Sequence, residues 1–173
     1  MLFFVFWGIF FFLRVKNLGD TMKRFIVTTI LTVIIVAILA HFMPKGFDSY
    51  LDEFADATVT IYCRQTELES VNMGLGYKVT CDAANFREVA ARCGNIDGVC
   101  VSFAGSDEDV ARICRFFRLQ ATHTFEQDGL QVVCGKSRKI KGGVLSGRNV
   151  VNLQIAYKDG IVHVGSPLIL GDY

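Results

Sequence analysis

Hydrophobic positions are distributed unevenly along this chain. Two uninterrupted apolar runs, residues 2–13 and 25–42, lie at the N-terminal end, and the remainder mixes apolar and polar positions. The second run has 18 residues without a charge, which is close to the ~20 residues that cross a hydrocarbon core, whereas the first run is too short. We therefore predict a transmembrane helix over residues 25–42, rather than a buried helix of a soluble protein.

The residues before this run predict how the chain begins. Met22, Lys23 and Arg24 precede the apolar run directly, which is typical of a secretory signal or a signal anchor. We interpret Met22 as the start, residues 1–21 as an upstream extension that is not part of the native product, and residues 22–43 as the anchor. Gly19 and Asp20 fit this interpretation, because their codons can contain a bacterial ribosome-binding core just upstream of Met22.

Cleavage and orientation follow from the flanks of the same run. A cut after Ala40 would put Ile38 where signal peptidase prefers a small residue, so we expect an uncleaved anchor; cleavage would instead release a secreted domain. Lys23 and Arg24 precede the run and only Lys45 follows it closely. The positive-inside rule then predicts a single-pass protein of the cell membrane, with its N-terminus in the cytoplasm and its domain outside.

The rest of the chain predicts an α+β domain over residues 58–173, after a juxtamembrane linker over residues 44–57. Alternating β-branched residues indicate strands, and apolar residues at helical spacing indicate helices. Asp82 is a candidate N-cap, and Ser106 with Asp109 resembles a capping box. The predicted elements are strands at 58–63, 76–81 and 98–103, and helices at 82–93 and from Ser106.

Two hairpins are predicted at the Asp-Gly pairs 128–129 and 159–160, because this dipeptide suits a type I′ turn. Each turn fixes its own register. The expected partners are Phe125 with Val132, His123 with Cys134, Tyr157 with Val162, and Ile155 with Val164. The order of elements predicts a mixed or antiparallel sheet with two helices packed on it.

Charge and cysteine content limit the possible functions. From Lys45 onward the chain has 14 Lys and Arg against 16 Asp and Glu, a formal charge of −2, so no global basic field favours nucleic acid. An extracytoplasmic location permits disulfides among the six cysteines. Cys93 and Cys100 form the shortest connection. Five of the cysteines are expected on core faces: Cys63, Cys81, Cys93, Cys114 and Cys134.

The C-terminal quarter resembles a known family. The run Asn152-Leu-Gln-Ile-Ala, a turn, then Val164-Gly-Ser-Pro and a final acidic-Tyr pair is similar to the end of the YwmB family of Firmicutes. The resemblance implies a secreted or membrane-tethered protein with a fold likened to the TATA-box-binding protein. It implies no catalytic residue, and the DNA function of that fold does not follow from it.

The candidate chemistry is limited. A solvated loop is the simpler explanation of five basic residues without an intervening acid, and the functional alternative is contact with an anionic surface such as lipid headgroups or wall polymers: Lys136, Arg138, Lys139, Lys141 and Arg148. A thiol site at His123 and Cys134 is a weaker hypothesis than a buried cysteine. No cofactor or metal motif is predicted. The leading hypothesis is a membrane-tethered, non-enzymatic interaction module of the cell envelope; the alternatives are an envelope enzyme and a subunit of a membrane complex.

Overall fold

The computed structural model describes residues 19–54 and 56–170, apart from six side chains at positions 20, 21, 23, 24, 41 and 42. Contacts divide the chain into two compact units, Met1–Met43 and Pro44–Tyr173. The first apolar run, residues 2–13, lies outside the described residues. The same holds for most of the proposed upstream extension, residues 1–21.

The described part of the first unit is one helix, α1 (Asp20–Phe42). Its large apolar side chains that are described, from Phe25 to Leu39, are almost all exposed. The hydroxyl groups of Thr29 and Thr32 donate hydrogen bonds to backbone carbonyls one turn earlier, so these polar groups are paired within the helix. Over the described residues, no helix is both long and apolar enough to cross a membrane.

The described residues of the second unit form ten strands and several short helices. A 3₁₀ helix (Phe47–Phe54) comes first, and a single 3₁₀ turn (Ala83–Asn85) leads into α2. The α-helices are α2 (Phe86–Ala91) and α3 (Asp107–Phe116). The strands are β1 (Thr58–Thr66), β2 (Val71–Asn72), β3 (Tyr77–Asp82), β4 (Cys93–Ala104), β5 (Leu119–Gln127), β6 (Leu130–Ser137), β7 (Val144–Ser146), β8 (Asn149–Val151), β9 (Leu153–Lys158) and β10 (Ile161–Ser166).

Eight of these strands form one sheet in the order β2-β3-β1-β4-β10-β9-β6-β5. Every pairing in it is antiparallel. Strands β7 and β8 make a separate hairpin. The fold class is therefore α+β with a large antiparallel sheet. This agrees with the α+β class predicted from the sequence.

The core lies on one face of the sheet. Paired residues of four adjacent strands form a fully buried row, Val59, Val101, Val164 and Ile155. Helices α2 and α3 contribute Phe86, Val110 and Ile113 to the same cluster. Burying such side chains contributes roughly 1.5–3 kcal/mol each, so this face supplies most of the apolar burial in the domain.

The segment 44–57, interpreted from the sequence as a juxtamembrane linker, packs against this core. Phe47 and Leu51 are buried members of the cluster, and the ring of Phe47 lies 6.1 Å from that of Phe117. The sequence predicts a linker here because no local pattern specifies what these apolar side chains pack against. The folded unit therefore begins near Pro44 rather than at Thr58.

The local predictions for the hairpins and for α3 are confirmed. All four expected residue pairs occur, and the turn residues Asp128, Gly129, Asp159 and Gly160 have positive φ. The capping box of α3 is present, with Ser106 and Asp109 bonded reciprocally. The helix predicted over residues 82–93 is shorter, because Cys93 already begins β4.

Candidate functional site

The five basic residues proposed for an anionic surface do not form one patch. Lys136 and Ser137 are consecutive residues of β6, so their side chains point to opposite faces of the sheet. Ser137 is buried on the core side, and Lys136 therefore points to the other face. Arg148 lies at the tip of the β7–β8 hairpin. Arg138, Lys139 and Lys141 follow the end of β6 in one short segment, residues 138–141, which we call the basic loop.

Lys45, which is not one of the five predicted residues, lies against the basic loop. Lys45 and Ile140 form a parallel bridge, in which the Lys45 N–H donates to the Lys139 carbonyl and the Lys141 N–H donates to the Lys45 carbonyl, each at 2.8 Å. This bridge brings Lys45 next to Lys139 and Lys141, which lie more than ninety positions later in the sequence. Sequence analysis missed Lys45 as a member, because a single bridge between remote residues leaves no local pattern.

A buried amide holds the basic loop in place. Asn152 is 1% exposed, and its side chain accepts a hydrogen bond from the Ser137 N–H (2.6 Å) and donates to the carbonyls of Ser137 (2.9 Å) and Ile140 (2.8 Å). The Ser137 hydroxyl donates to the Phe117 carbonyl and accepts from the Lys139 N–H. Buried polar groups that are fully paired in this way fix one backbone conformation.

An aromatic cluster supports the loop from the helix side. The Lys139 ammonium lies 4.0 Å from the centre of the Phe116 ring, a cation–π geometry. The Tyr50 hydroxyl donates to the Lys139 carbonyl at 3.1 Å, and its ring packs edge-on against Phe116 and Phe117. Burial raises the pKa of Tyr50 above its usual value, so the hydroxyl stays a donor at neutral pH.

The helix-free face of the sheet carries a polar pair that sequence analysis did not identify. Ser102 Oγ and His163 Nδ1 lie 2.8 Å apart on the paired strands β4 and β10. Burial lowers the pKa of His163, which favours the neutral ring. Nucleophilic catalysis would also need N–H donors that stabilise an oxyanion. The backbone N–H groups of these mid-strand residues already bond to neighbouring strands, so the pair alone does not form an active site.

The C-terminal segment 167–170 covers part of this face. The Ile169 N–H donates to Gln154 Oε1 at 3.1 Å, and a side chain at Gly165 would collide with Ile169. Glycine is therefore required at position 165 by a close backbone approach. Within this segment Leu170 is exposed (40%), whereas residues 167–169 are half-buried.

The cysteines are free thiols, and several carry raised pKa values. Burial raises the pKa of Cys63 to about 11, assisted by a hydrogen bond with Cys93, and burial also raises the pKa of Cys100 to about 11. Cys93 and Cys100 lie on the same strand, seven residues or roughly 23 Å apart, so the shortest connection in sequence cannot form a disulfide.

The proposed thiol site differs from expectation. Cys134 pairs with His123 as predicted, but it lies on the helix-free face, opposite the core row. The expectation that Cys134 faces the core is therefore wrong, because both faces of β6 bear apolar residues and alternation does not distinguish them. Burial raises the pKa of Cys134, which disfavours the thiolate that a nucleophile requires.

The described surface of the domain has several grooves, of which two adjoin features discussed above. One of about 590 Å³ lies between the first 3₁₀ helix and α3 and includes Glu53, Asp56 and Arg112. The other, of about 570 Å³, is more apolar; we call it the apolar groove, and its lining includes Met73, Leu75, Val144, Leu168 and Leu170. Leu75 is 92% exposed. Among the described residues, no three His, Cys, Asp or Glu side chains gather as a metal site requires.

Comparison with known proteins gives no relative from which a role could be transferred. The chain matches no protein-family model, no curated protein and no solved structure.

Proposed function

We propose that this protein is a single-pass, membrane-tethered interaction module of the cell envelope. Residues 25–42 are the anchor, the N-terminus is cytoplasmic and the α+β domain lies outside the cytoplasm. The lysines joined by the Lys45–Ile140 bridge contact anionic phosphates of lipid headgroups. The module acts by binding rather than by catalysis.

The exposed apolar helix supports the anchor. Residues 25–42 contribute 18 positions without a charge, and they belong to α1. Side chains such as Leu31, Val33 and Ile34 are all about half exposed or more. Soluble monomers rarely expose so large a contiguous apolar surface, and a bilayer would cover it along its length.

The start at Met22, the uncleaved anchor and the likeness to YwmB belong to the same proposal. The segment 152–156 of that likeness forms most of β9, whose neighbour β10 carries Val164, Gly165 and Ser166. These residues pack the centre of the sheet, which gives a structural reason for their pattern. N-terminal sequencing of the native product that found residues before Met22 would contradict the start site.

The Lys45–Ile140 bridge is the observation that carries the headgroup contact. Lys45 follows Phe42 by three residues, a length of extended chain of at most ~11 Å. The bridge fixes Lys139 and Lys141 beside Lys45. The chain length alone therefore keeps Lys45 near the membrane end of the proposed anchor, where a surface potential decays over a Debye length of ~8–10 Å at physiological salt. Each such lysine contributes roughly 1 kcal/mol on an anionic surface.

Hydrogen exchange on the full chain in nanodiscs tests this contact. We expect slower exchange of the backbone amides of residues 138–141 in discs with anionic lipid than in zwitterionic discs, and loss of the difference at high salt. A triple variant, Lys45→Gln, Lys139→Gln and Lys141→Gln, should remove the difference. The matched control replaces three exposed arginines elsewhere with Gln: Arg87, Arg92 and Arg115.

The comparison is decisive in both directions. Equal exchange in the two lipids for the wild-type chain would contradict the headgroup contact, as would an equal loss in the control triple. Replacing Lys136 and Arg148 should have a smaller effect, because neither belongs to the bridge. Recovery of the chain in the soluble fraction after cell lysis would contradict the anchor itself.

A second candidate function is that of a subunit in a membrane protein complex. The apolar groove favours it, since Leu75 and Met73 expose large side chains beside Leu170. A photo-crosslinking residue at position 75 should then capture one defined protein partner in cells. The same residue at exposed Glu108 is the control, and equal patterns from both positions would reject this candidate. An envelope enzyme remains the third class, for which convergent titratable groups would be the sign.

A further inference from the structure

The two edges of the large sheet differ in how they end. On one side the edge strand β2 has only two residues, Val71 and Asn72. On the other side β5 runs for nine residues, from Leu119 to Gln127, and pairs with β6 alone. Among the described residues, no backbone hydrogen bond joins β5 to any segment beyond β6. This edge therefore presents a row of unpaired backbone groups.

The turn after β5 determines which backbone groups point outward. Asp128 and Gly129 have φ of 51° and 77°, which fits a two-residue type I′ turn. Such a turn bonds Gln127 to Leu130, and antiparallel pairs alternate between bonded and non-bonded. The N–H and C=O groups of Thr124 and Glu126 therefore point away from β6.

The free stretch lacks most of the usual protection of an edge. Natural edge strands are blunted by Pro, by Lys, by short length or by bulges. β5 contains no Pro, Lys or Arg and a single acidic residue, Glu126. A register shift between Ala121 and His123 distorts only its first half. The open part is thus residues 123–127, and Phe125 within it is 50% exposed.

From this edge we propose that the domain forms a homodimer in which β5 pairs antiparallel with β5 of a second copy, about a twofold axis at Phe125. Thr124 of each copy then bonds with Glu126 of the other. The two Phe125 residues form a non-bonded pair, in which side chains approach most closely. His123 faces Gln127 across the axis.

Residue chemistry favours a second copy in this register. A cross-strand pair of aromatic rings is stabilising, whereas like charges placed directly opposite are destabilising. The axis at Phe125 joins the two aromatic rings and puts each Glu126 opposite a threonine. An axis at Glu126 would oppose the two carboxylates, and an axis at Thr124 would separate the two rings. The contact is short, and shared anchorage in one membrane would raise the effective concentration; this last point rests on the proposed function.

A cysteine scan in the full chain tests the dimer and its register. Opposed non-bonded residues have Cα atoms ~4.5 Å apart, within the range of a disulfide, whereas Thr124 or Glu126 would lie roughly 8 Å from its own copy. Under mild oxidation Phe125→Cys should form at least tenfold more dimer than Thr124→Cys or Glu126→Cys alone. Peptide mapping separates this product from disulfides of the native cysteines.

Two further arms keep the test independent of any one variant. Thr124→Cys and Glu126→Cys copies, expressed together, should crosslink with each other. Thr124→Pro removes an outward N–H that makes no bond to β6, and Pro is tolerated at such edge positions. Adding it to Phe125→Cys should abolish the dimer while the chain stays resistant to pulse proteolysis. If that variant unfolds, the crosslink between co-expressed Thr124→Cys and Glu126→Cys chains still tests the pairing.

The outcomes separate this proposal from the membrane proposal. The crosslink is scored in whichever fraction contains the chain, so a chain found in the soluble fraction contradicts the anchor and leaves the pairing to be judged on its own. Equal dimer yields at positions 124, 125 and 126, or a yield at Phe125→Cys no higher than at the exposed helix position Glu108→Cys, overturn the pairing. A maximum at any position other than 125 overturns it as well.

Discussion

Replacing Asn152 by Ala should destabilise the domain by about 3–5 kcal/mol. The substitution removes three side-chain hydrogen bonds, of 2.6, 2.9 and 2.8 Å, and leaves one N–H and two carbonyls of the segment 137–140 without partners. Each unpaired buried group costs about 1–3 kcal/mol. We expect the lower part of that sum, because the flanking Lys139 and Lys141 are accessible and water can reach the relaxed loop.

Pulse proteolysis of the full chain across a urea series, in mild detergent, measures this loss as a shift in midpoint. Asn149→Ala is the matched control, since Asn149 is exposed on β8, and its effect should stay within about 0.5 kcal/mol. Asn152→Asp should lose at least as much as Asn152→Ala, because a carboxylate would face two carbonyl oxygens. A loss at Asn152→Ala as small as that of the control would refute the role assigned to this amide.

Other predictions concern the thiols, a glycine and a histidine. Mild oxidation of the folded chain should give no disulfide between Cys93 and Cys100, which lie far apart on β4, as non-reducing peptide mapping will show. Native Cys100 should resist iodoacetamide because burial raises its pKa to about 11. Gly135→Ala should destabilise the domain by more than about 3 kcal/mol in the same urea assay, since its Cβ would overlap the backbone of the preceding strand at the bulge. Burial lowers the pKa of His163, so the unfolded chain binds the extra proton first: stability should fall as pH drops below ~6.5 and level off under the folded pKa. An unchanged pH dependence in His163→Gln would contradict that assignment.

The sequence predicts the local parts of this fold well, because local chemistry determines them. The Asp128-Gly129 and Asp159-Gly160 turns fix their strands' register, and the Ser106 capping box fixes the start of α3. These signals lie within a few residues of the elements they define. No information from distant parts of the chain is needed to interpret them.

The non-local parts could not be predicted. Ser102 meets His163 only because β4 pairs with β10, and no pattern in one sequence specifies that partner. Lys45 joins the basic loop for the same reason. The Gly94-Asn95 pair resembles a helix end, yet in the structure it lies within β4, where Asn95 adopts a positive φ of 53°. Gly and Asn favour both helix ends and irregular positions within strands, so the sequence alone does not distinguish the two.

The strand order of the sheet also affects how the chain folds as it is made. β1 to β4 form one contiguous half and β5, β6, β9 and β10 the other, and only β4 with β10 joins them. β10 is the last of the described strands, so β4 remains an open edge until β10 has been synthesised. Its centre, from Gly98 to Phe103, is apolar and uncharged, which makes it prone to wrong pairing in that interval. Folding of this domain should therefore depend on protection of β4 until β10 arrives.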